Sequence, residues 1–74
     1  MINREPVRDF YRKILGYIDT DSVTGKKTIR NFYMKILGYY DPKDNKTRDF
    51  YRRIVGNGDL SSMLIYQDNN KDMN

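Results

Sequence analysis

Val7-Arg8-Asp9-Phe10-Tyr11-Arg12-Lys13-Ile14-Leu15-Gly16-Tyr17 decides the fold, because the chain repeats this phrase. It returns as Ile29-Arg30-Asn31-Phe32-Tyr33-Met34-Lys35-Ile36-Leu37-Gly38-Tyr39, and again as Thr47-Arg48-Asp49-Phe50-Tyr51-Arg52-Arg53-Ile54-Val55-Gly56-Asn57. The shared frame is Arg, Asp or Asn, Phe-Tyr, one variable residue, Lys or Arg, two aliphatics and Gly. Phe10 to Phe32 spans 22 residues and Phe32 to Phe50 spans 18. The difference lies in the connecting stretches. Unequal loops fit a meander better than a solenoid, whose stacking demands regular turns.

Two periodicities compete within the phrase. Val7, Phe10, Tyr11, Ile14 and Leu15 follow the spacing of an amphipathic helix, with Gly16 at the position of a helix stop. Against this, the phrase is rich in aromatic and β-branched residues. Its second half runs past glycine into Tyr17-Ile18 and Tyr39-Tyr40, which a capped helix does not explain. Tyr39-Tyr40-Asp41-Pro42-Lys43-Asp44-Asn45-Lys46-Thr47 reads as strand, turn, strand. Three helices this short would also be marginal. The reading is therefore all-β: a small antiparallel meander of three or four strands built from three repeats, with α+β containing short helices as the alternative.

In a continuous strand, Phe10, Ile14 and Ile18 share one face with Arg8, Arg12 and Gly16, while Tyr11, Leu15 and Tyr17 share the other with Asp9 and Lys13. Phe10, Phe32 and Phe50 are then expected in the core. The repeated glycines 16, 38 and 56 are expected at bends, bulges or close backbone approaches. Met1–Glu5 reads as a frayed lead-in, and the stretches 19–27, 41–46 and 56–59 as turns. Ser62–Tyr66 reads as a last short strand. One repeat domain over 1–66 is expected, followed by a disordered polar tail over 67–74.

With 74 residues, the chain makes one small domain whose core is modest. Cysteine and histidine are both absent. Disulfides and thiolate metal sites are thus excluded, and so are the usual nucleophile–base pairs. A homo-oligomer is expected as the remaining source of stability. No apolar run is long enough to cross a bilayer, so no membrane partner is expected and the location is read as cytoplasmic.

The phrase resembles a group of short proteins carrying Asp-Phe-Tyr-Gly-Arg-Ile-Leu-Gly-Tyr-Tyr-Asp-like repeats, associated with gut Firmicutes and their phages or mobile elements. The likeness covers roughly residues 7–66. This chain departs from it at Arg12, Met34 and Arg52, where the resembled phrase has its first glycine. The resemblance implies no catalytic activity. It implies a small protein that binds a host protein or a nucleic acid, as inhibitors from such elements do.

Catalysis is not expected. Asp9 and Asp49 recur, but the middle copy has Asn31, and an aspartate beside arginine more often caps a turn. Metal-assisted phosphodiester cleavage through Asp19, Asp21 or Asp41 is the least implausible chemistry. Asp19, Asp21 and Gly25 have a faint calcium-loop spacing without the remaining ligands, so a solvated turn is the better reading. No metal or cofactor is expected.

The net charge of +4 favours an acidic partner. Basic and aromatic residues interleave in every copy. Arg8, Tyr11, Arg12, Lys13, Arg30, Tyr33, Lys35, Arg48, Tyr51, Arg52 and Arg53 are the candidate nucleic-acid contacts. On neighbouring strands they are expected to form ladders over one sheet face: cations for phosphates, rings for bases. The expected function is non-catalytic nucleic-acid binding, with single strands favoured. The rivals are a module docking on a host protein and a self-assembling structural protein.

Overall fold

The computed structural model describes residues 1–71, with side chains through Asn69. Among them are six strands and one helix: β1 (Ile2–Arg8), β2 (Ile14–Asp21), β3 (Lys27–Asn31), β4 (Ile36–Asp41), β5 (Lys46–Asp49), β6 (Ile54–Asn57) and α1 (Ser61–Lys71). The strands form one antiparallel sheet in sequence order. The antiparallel meander is as expected. The strand count is not, because each phrase is a hairpin, with a turn where a continuous strand was read.

The turn is written in Asp9-Phe10-Tyr11-Arg12-Lys13. The Arg12 amide donates to the Asp9 carbonyl at 3.0 Å, and the Asp9 amide donates to the Lys13 carbonyl at 2.9 Å. Arg12 has φ 66°, in the left-handed region. This is a tight turn closed by one left-handed residue, a common three-residue hairpin connection. Met34 (φ 69°) and Arg52 (φ 66°) repeat it with the same backbone bonds. The Asp9 side chain fixes the turn: its Oδ1 accepts from the Tyr11 amide at 2.8 Å and the Lys13 amide at 2.9 Å. Asn31 Oδ1 does the same for Tyr33 and Lys35, both at 2.9 Å. An oxygen acceptor is all the turn requires, so Asp and Asn alternate freely in the frame.

A bulge follows each turn. Arg8 pairs with Ile14 but Val7 pairs with Gly16, so Leu15 is the inserted residue. Leu37 and Val55 are its equivalents. A bulge shifts the alternation of faces by one residue, so the two-face partition read from sequence does not survive past it. Turn and bulge also place Phe10, Phe32 and Phe50 outside the core. They are 93%, 53% and 51% exposed.

The other two connections use a different turn. The Gly25 amide donates to the Asp21 carbonyl at 2.8 Å, with Gly25 at φ 75°; Asp41 and Asn45 (φ 55°) hold the corresponding positions in the β4–β5 loop. The phrase turns lie at one end of the sheet and these two loops at the other. Met1–Glu5, read as frayed, is mostly strand: Ile2 pairs with Asp21 and Glu5 with Ile18.

Ser62–Tyr66 is helix where a strand was expected, and α1 continues through Lys71 into the stretch read as a tail; the rest of that stretch lies outside the described residues. Asp59 starts the helix. Its Oδ1 accepts from the Ser61 amide at 3.1 Å and from the Ser61 hydroxyl, as an N-cap does. Thr47, fully buried, donates its hydroxyl to the Gly58 carbonyl at 2.6 Å and accepts from the Leu60 amide at 3.0 Å, tying β5 to the helix start. Ser61, Leu64, Ile65 and Asp68 follow helical spacing, and the first three are buried. Leu64 and Ile65 pack with Leu15 and Ile29, flanked by Val7, Ile18, Leu37 and Tyr40.

The helix rests on two glycines. A Cβ on Gly16 would collide with the Arg30 carbonyl and crowd Ile65 at 3.2 Å. A Cβ on Gly38 would collide with the Arg48 carbonyl and lie 2.7 Å from Leu64 Cδ1. Close approach is thus the reason for glycine here. The sheet edges are blunted by Pro6 in β1 and by the brevity of four-residue β6. No helix among the described residues is long and apolar enough to cross a membrane.

Candidate nucleic-acid interface

The phrase turns put three Phe–Tyr pairs at the tips of three neighbouring hairpins, along one end of the sheet. Successive tips are two strands apart, roughly 10 Å at ordinary strand spacing. Each pair stacks edge to face: Phe10 on Tyr11 (centroids 5.6 Å apart), Phe32 on Tyr33 (5.5 Å) and Phe50 on Tyr51 (5.3 Å). Tyr11, Tyr33 and Tyr51 are as exposed as their partners or nearly so. Two consecutive residues of a tight turn point away from the body, which is how a folded domain comes to expose both. Exposed rings in a row are an unusual use of apolar surface and make the tips the candidate interaction site.

The charge gathers at the same end. Residues 8–13 hold three cations and one carboxylate, residues 30–35 two cations and none, and residues 48–53 three cations and one carboxylate. Each segment therefore nets +2 and the three together +6, against +4 for the chain, although Arg30 and Arg48 lie in the strands and pair with Asp19 and Asp44. The rest of the protein nets −2 by difference.

The candidate residues divide into three groups. Tyr11, Arg12, Lys13, Tyr33, Lys35, Tyr51 and Arg52 are exposed at the tips. Arg8 is exposed at the base of the first tip and donates to the Arg12 carbonyl at 3.2 Å. Arg30, Arg48 and Arg53 are engaged within the chain. Arg30 donates to Asp19 at 3.0 Å and to the Met34 carbonyl at 3.1 Å; Arg48 reaches Asp44 at 2.7 Å; Arg53 reaches Asp49 at 3.1 Å and lies 5.5 Å from the Tyr51 ring. The expected ladders over a sheet face are replaced by a line of tips, because the turn falls between Phe-Tyr and the strands.

The face of the sheet opposite α1 has its own polar arrangement. Asp19, buried, is bridged by Arg4 at 2.7 and 2.9 Å and by Arg30. The Arg4 hydrogen bond holds the Asp19 carboxyl below its ordinary value; burial opposes this and Arg30 adds to it. Asp49 is likewise held low, first by the Arg53 amide and then by its guanidinium. Arg4 lies 5.8 Å from the Tyr17 ring, and Arg52 5.1 Å from the Tyr39 ring. Sequence reasoning missed Tyr17 and Tyr39 as partners of these cations; their place in the strand after the bulge was the available signal.

The carboxylates read as possible metal ligands have structural partners. Asp19 is held by two guanidiniums. Asp21 Oδ1 accepts from the Val23 amide at 2.8 Å and Asp41 Oδ1 from the Lys43 amide at 2.9 Å, so both cap loops. No family model, curated protein or solved structure matches the chain.

Proposed function

We propose that this protein binds single-stranded nucleic acid, without catalysing a reaction, along the line of its three hairpin tips. The observation that carries the reading is the coincidence of six exposed rings with five cations on the same three hairpins, Arg8, Arg12, Lys13, Lys35 and Arg52, that no carboxylate pairs among the described residues. Cations neutralise phosphates and give most of the affinity; rings stack on unpaired bases of any identity. Narrow tips separated by gaps suit a strand whose bases splay between them. Arg12 and Arg52 support the reading independently. They occupy left-handed turn positions where a side chain costs about 1–2 kcal/mol. A cation at such a position is structurally unfavourable, and phosphate contact gives it a use.

The test is fluorescence anisotropy of labelled thymine oligonucleotides at graded salt. Arg8, Arg12, Lys13, Lys35 and Arg52 have no ion-pair partner among the described residues. If each meets one phosphate, log K falls against log salt with a slope of roughly −3.5, at about −0.7 per contact. The double variant Arg12→Ala, Arg52→Ala lowers affinity and brings the slope to roughly −2 by the same rule. Lys43→Ala, in a loop at the opposite end, leaves both nearly unchanged. Absence of binding at low salt refutes the reading and leaves an acidic protein partner as the explanation for the tips.

A further inference from the structure

Among the described residues, the sheet end carries one carboxylate that closes no turn, Asp68. Between the first two tips and the C-terminal half of α1 lies a cleft of about 370 Å³. That size falls in the range of small-molecule sites, about 300–1,000 Å³. It is lined by Lys13 and Leu15 of the first hairpin, by Asn31, Phe32 and Tyr33 of the middle tip, and by Asp68 and Asn69 of the helix. The middle tip differs from its neighbours on this side alone. Its turn residue is Asn31, and the Asn31 Nδ2 donates to Asp68 Oδ2 at 3.3 Å. An aspartate there, as at positions 9 and 49, would set two carboxylates together.

Asp68 makes no other hydrogen bond among the described residues. A carboxylate offers about four acceptor sites, so most of its capacity is free. Asp9 and Asp49 are occupied by the amides of their turns, whereas Asp68 has no such structural use, and a free carboxylate repels phosphate. It suits instead a ligand that brings two parallel N–H donors. Among the common bases, guanine alone does so, through N1–H and its exocyclic amine. Adenine presents one donor beside an acceptor, and so does cytosine. The uracil and thymine edge has one donor between two carbonyls.

We infer that the cleft between Phe32 and Asp68 is a guanine subsite, with the base stacked on the aromatic rings that line it and its donor edge paired with the carboxylate. The inference rests on the proposed nucleic-acid binding and adds a base preference to it. Bidentate pairing with a carboxylate is the strong form of such a contact. Lys13, which also lines the cleft, then meets the phosphate of the same nucleotide.

The experiment compares four labelled strands in the anisotropy assay: all thymine, and thymine with one central guanine, adenine or inosine. Inosine keeps N1–H and lacks the exocyclic amine. The guanine strand is expected to bind about tenfold more tightly than the adenine strand, the usual scale for one bidentate base contact, with inosine losing most of that gain. In Asp68→Asn the guanine preference falls within about twofold, and the all-thymine strand binds as well as before or better, since a charge repelling phosphate is gone. The variant keeps an oxygen for Asn31, so the helix contact stays. In Phe32→Leu, at an exposed tip, the guanine and adenine strands both bind more weakly, because stacking does not distinguish them. Equal binding of guanine and adenine strands, or a preference that survives Asp68→Asn, overturns the subsite while all-thymine binding still upholds the general reading. No binding of any strand overturns both.

Discussion

Met34→Gly should be more stable than Met34→Ala, although it removes one more carbon and adds no contact. Met34 sits at φ 69° in the middle tip. A non-glycine residue in that region costs about 1–2 kcal/mol through the clash of Cβ with the following carbonyl. Glycine removes the clash but loosens the unfolded chain, at a cost of about 0.4–1 kcal/mol. The balance is a gain of about 0.5–1 kcal/mol, and each kcal/mol raises the melting temperature of a domain this small by about 4–8 °C. Met34 is only 36% exposed, so glycine and alanine both give up part of its packing, and the gain is read as Met34→Gly over Met34→Ala. The same gain is expected for Arg12→Gly. Arg52→Gly should come out near neutral, because it gives up the stacking on Tyr39 at 5.1 Å, a cation–π contact of about 0.5–1 kcal/mol. The assay is urea and thermal unfolding of each glycine variant beside its alanine counterpart. Alanine removes the same side chain and retains Cβ, so it isolates the backbone effect. If Met34→Gly is no more stable than Met34→Ala, the left-handed turn is wrong. Binding separates the positions again: Met34→Gly leaves oligonucleotide affinity nearly unchanged, whereas Arg12→Gly and Arg52→Gly weaken it by removing a cation.

Gly38→Ala should destabilise by roughly 2–3 kcal/mol, the upper part of the usual overpacking range, because the new Cβ meets both the Arg48 carbonyl and Leu64; urea unfolding measures it, and a loss below half that would mean the helix packs more loosely on β4. Asn31→Asp keeps the turn acceptor but faces Asp68 with a second carboxylate, so it should cost about 1–2 kcal/mol at neutral pH, as for a lost hydrogen bond with an unpartnered polar group. Amide exchange should localise that cost to the C-terminal half of α1, and the cost should vanish once the carboxylates are protonated; a neutral effect at pH 7 would remove the Asn31–Asp68 contact from the account. Asp19 and Asp49 have folded pKa values below the ordinary 3.8, so the unfolded chain binds more protons and stability rises with pH through that range. Their contribution is complete above the unfolded value and is lost as pH falls through the depressed folded ones. The urea midpoint should therefore change little from about pH 8 to 5 and drop below about pH 4, less steeply in Asp19→Asn. A midpoint unchanged down to pH 3 would show that these contacts add nothing.

The sheet was legible because its turns are local. Asp41-Pro42 and Asn45 announce a loop by chemistry that needs no tertiary context. The hairpin inside each phrase was hidden for the opposite reason. Its left-handed position carries Arg12, Met34 or Arg52, none of which signals positive φ. With no visible turn, the aromatic pair reads as strand, and strand alternation sends Phe10 inward. The one sequence clue was the resembled phrase itself, which has glycine at that position. The helix was legible in principle: Asp59 as N-cap precedes Ser61, Leu64, Ile65 and Asp68 at helical spacing. Met63-Leu64-Ile65-Tyr66 taken alone has strand composition, and that won. Nothing in the sequence could bring Asp68 to Asn31, since their contact depends on the helix folding back across the sheet.

Both of the protein's less stable features lie at the tips, and that bears on what the tips are for. Six rings exposed to water forgo burial in a chain whose buried apolar core, among the described residues, is Leu15, Ile29, Leu64 and Ile65. Three left-handed turn positions forgo the glycine that would relax them. A small domain has little stability to spare, so neither feature is explained by folding. The opposite end shows the contrast. There the β2–β3 loop does use glycine at its left-handed position and the β4–β5 loop uses asparagine, the next most tolerant residue. The same chain thus follows the backbone's preference at one end of the sheet and departs from it at the other. The departures coincide with the unpaired cations Arg12, Lys13, Lys35 and Arg52 and with every Phe–Tyr pair. A surface that is strained, apolar and cationic together is what the proposed function calls for: an anionic polymer carrying flat, unpaired rings would meet both the cations and the exposed rings.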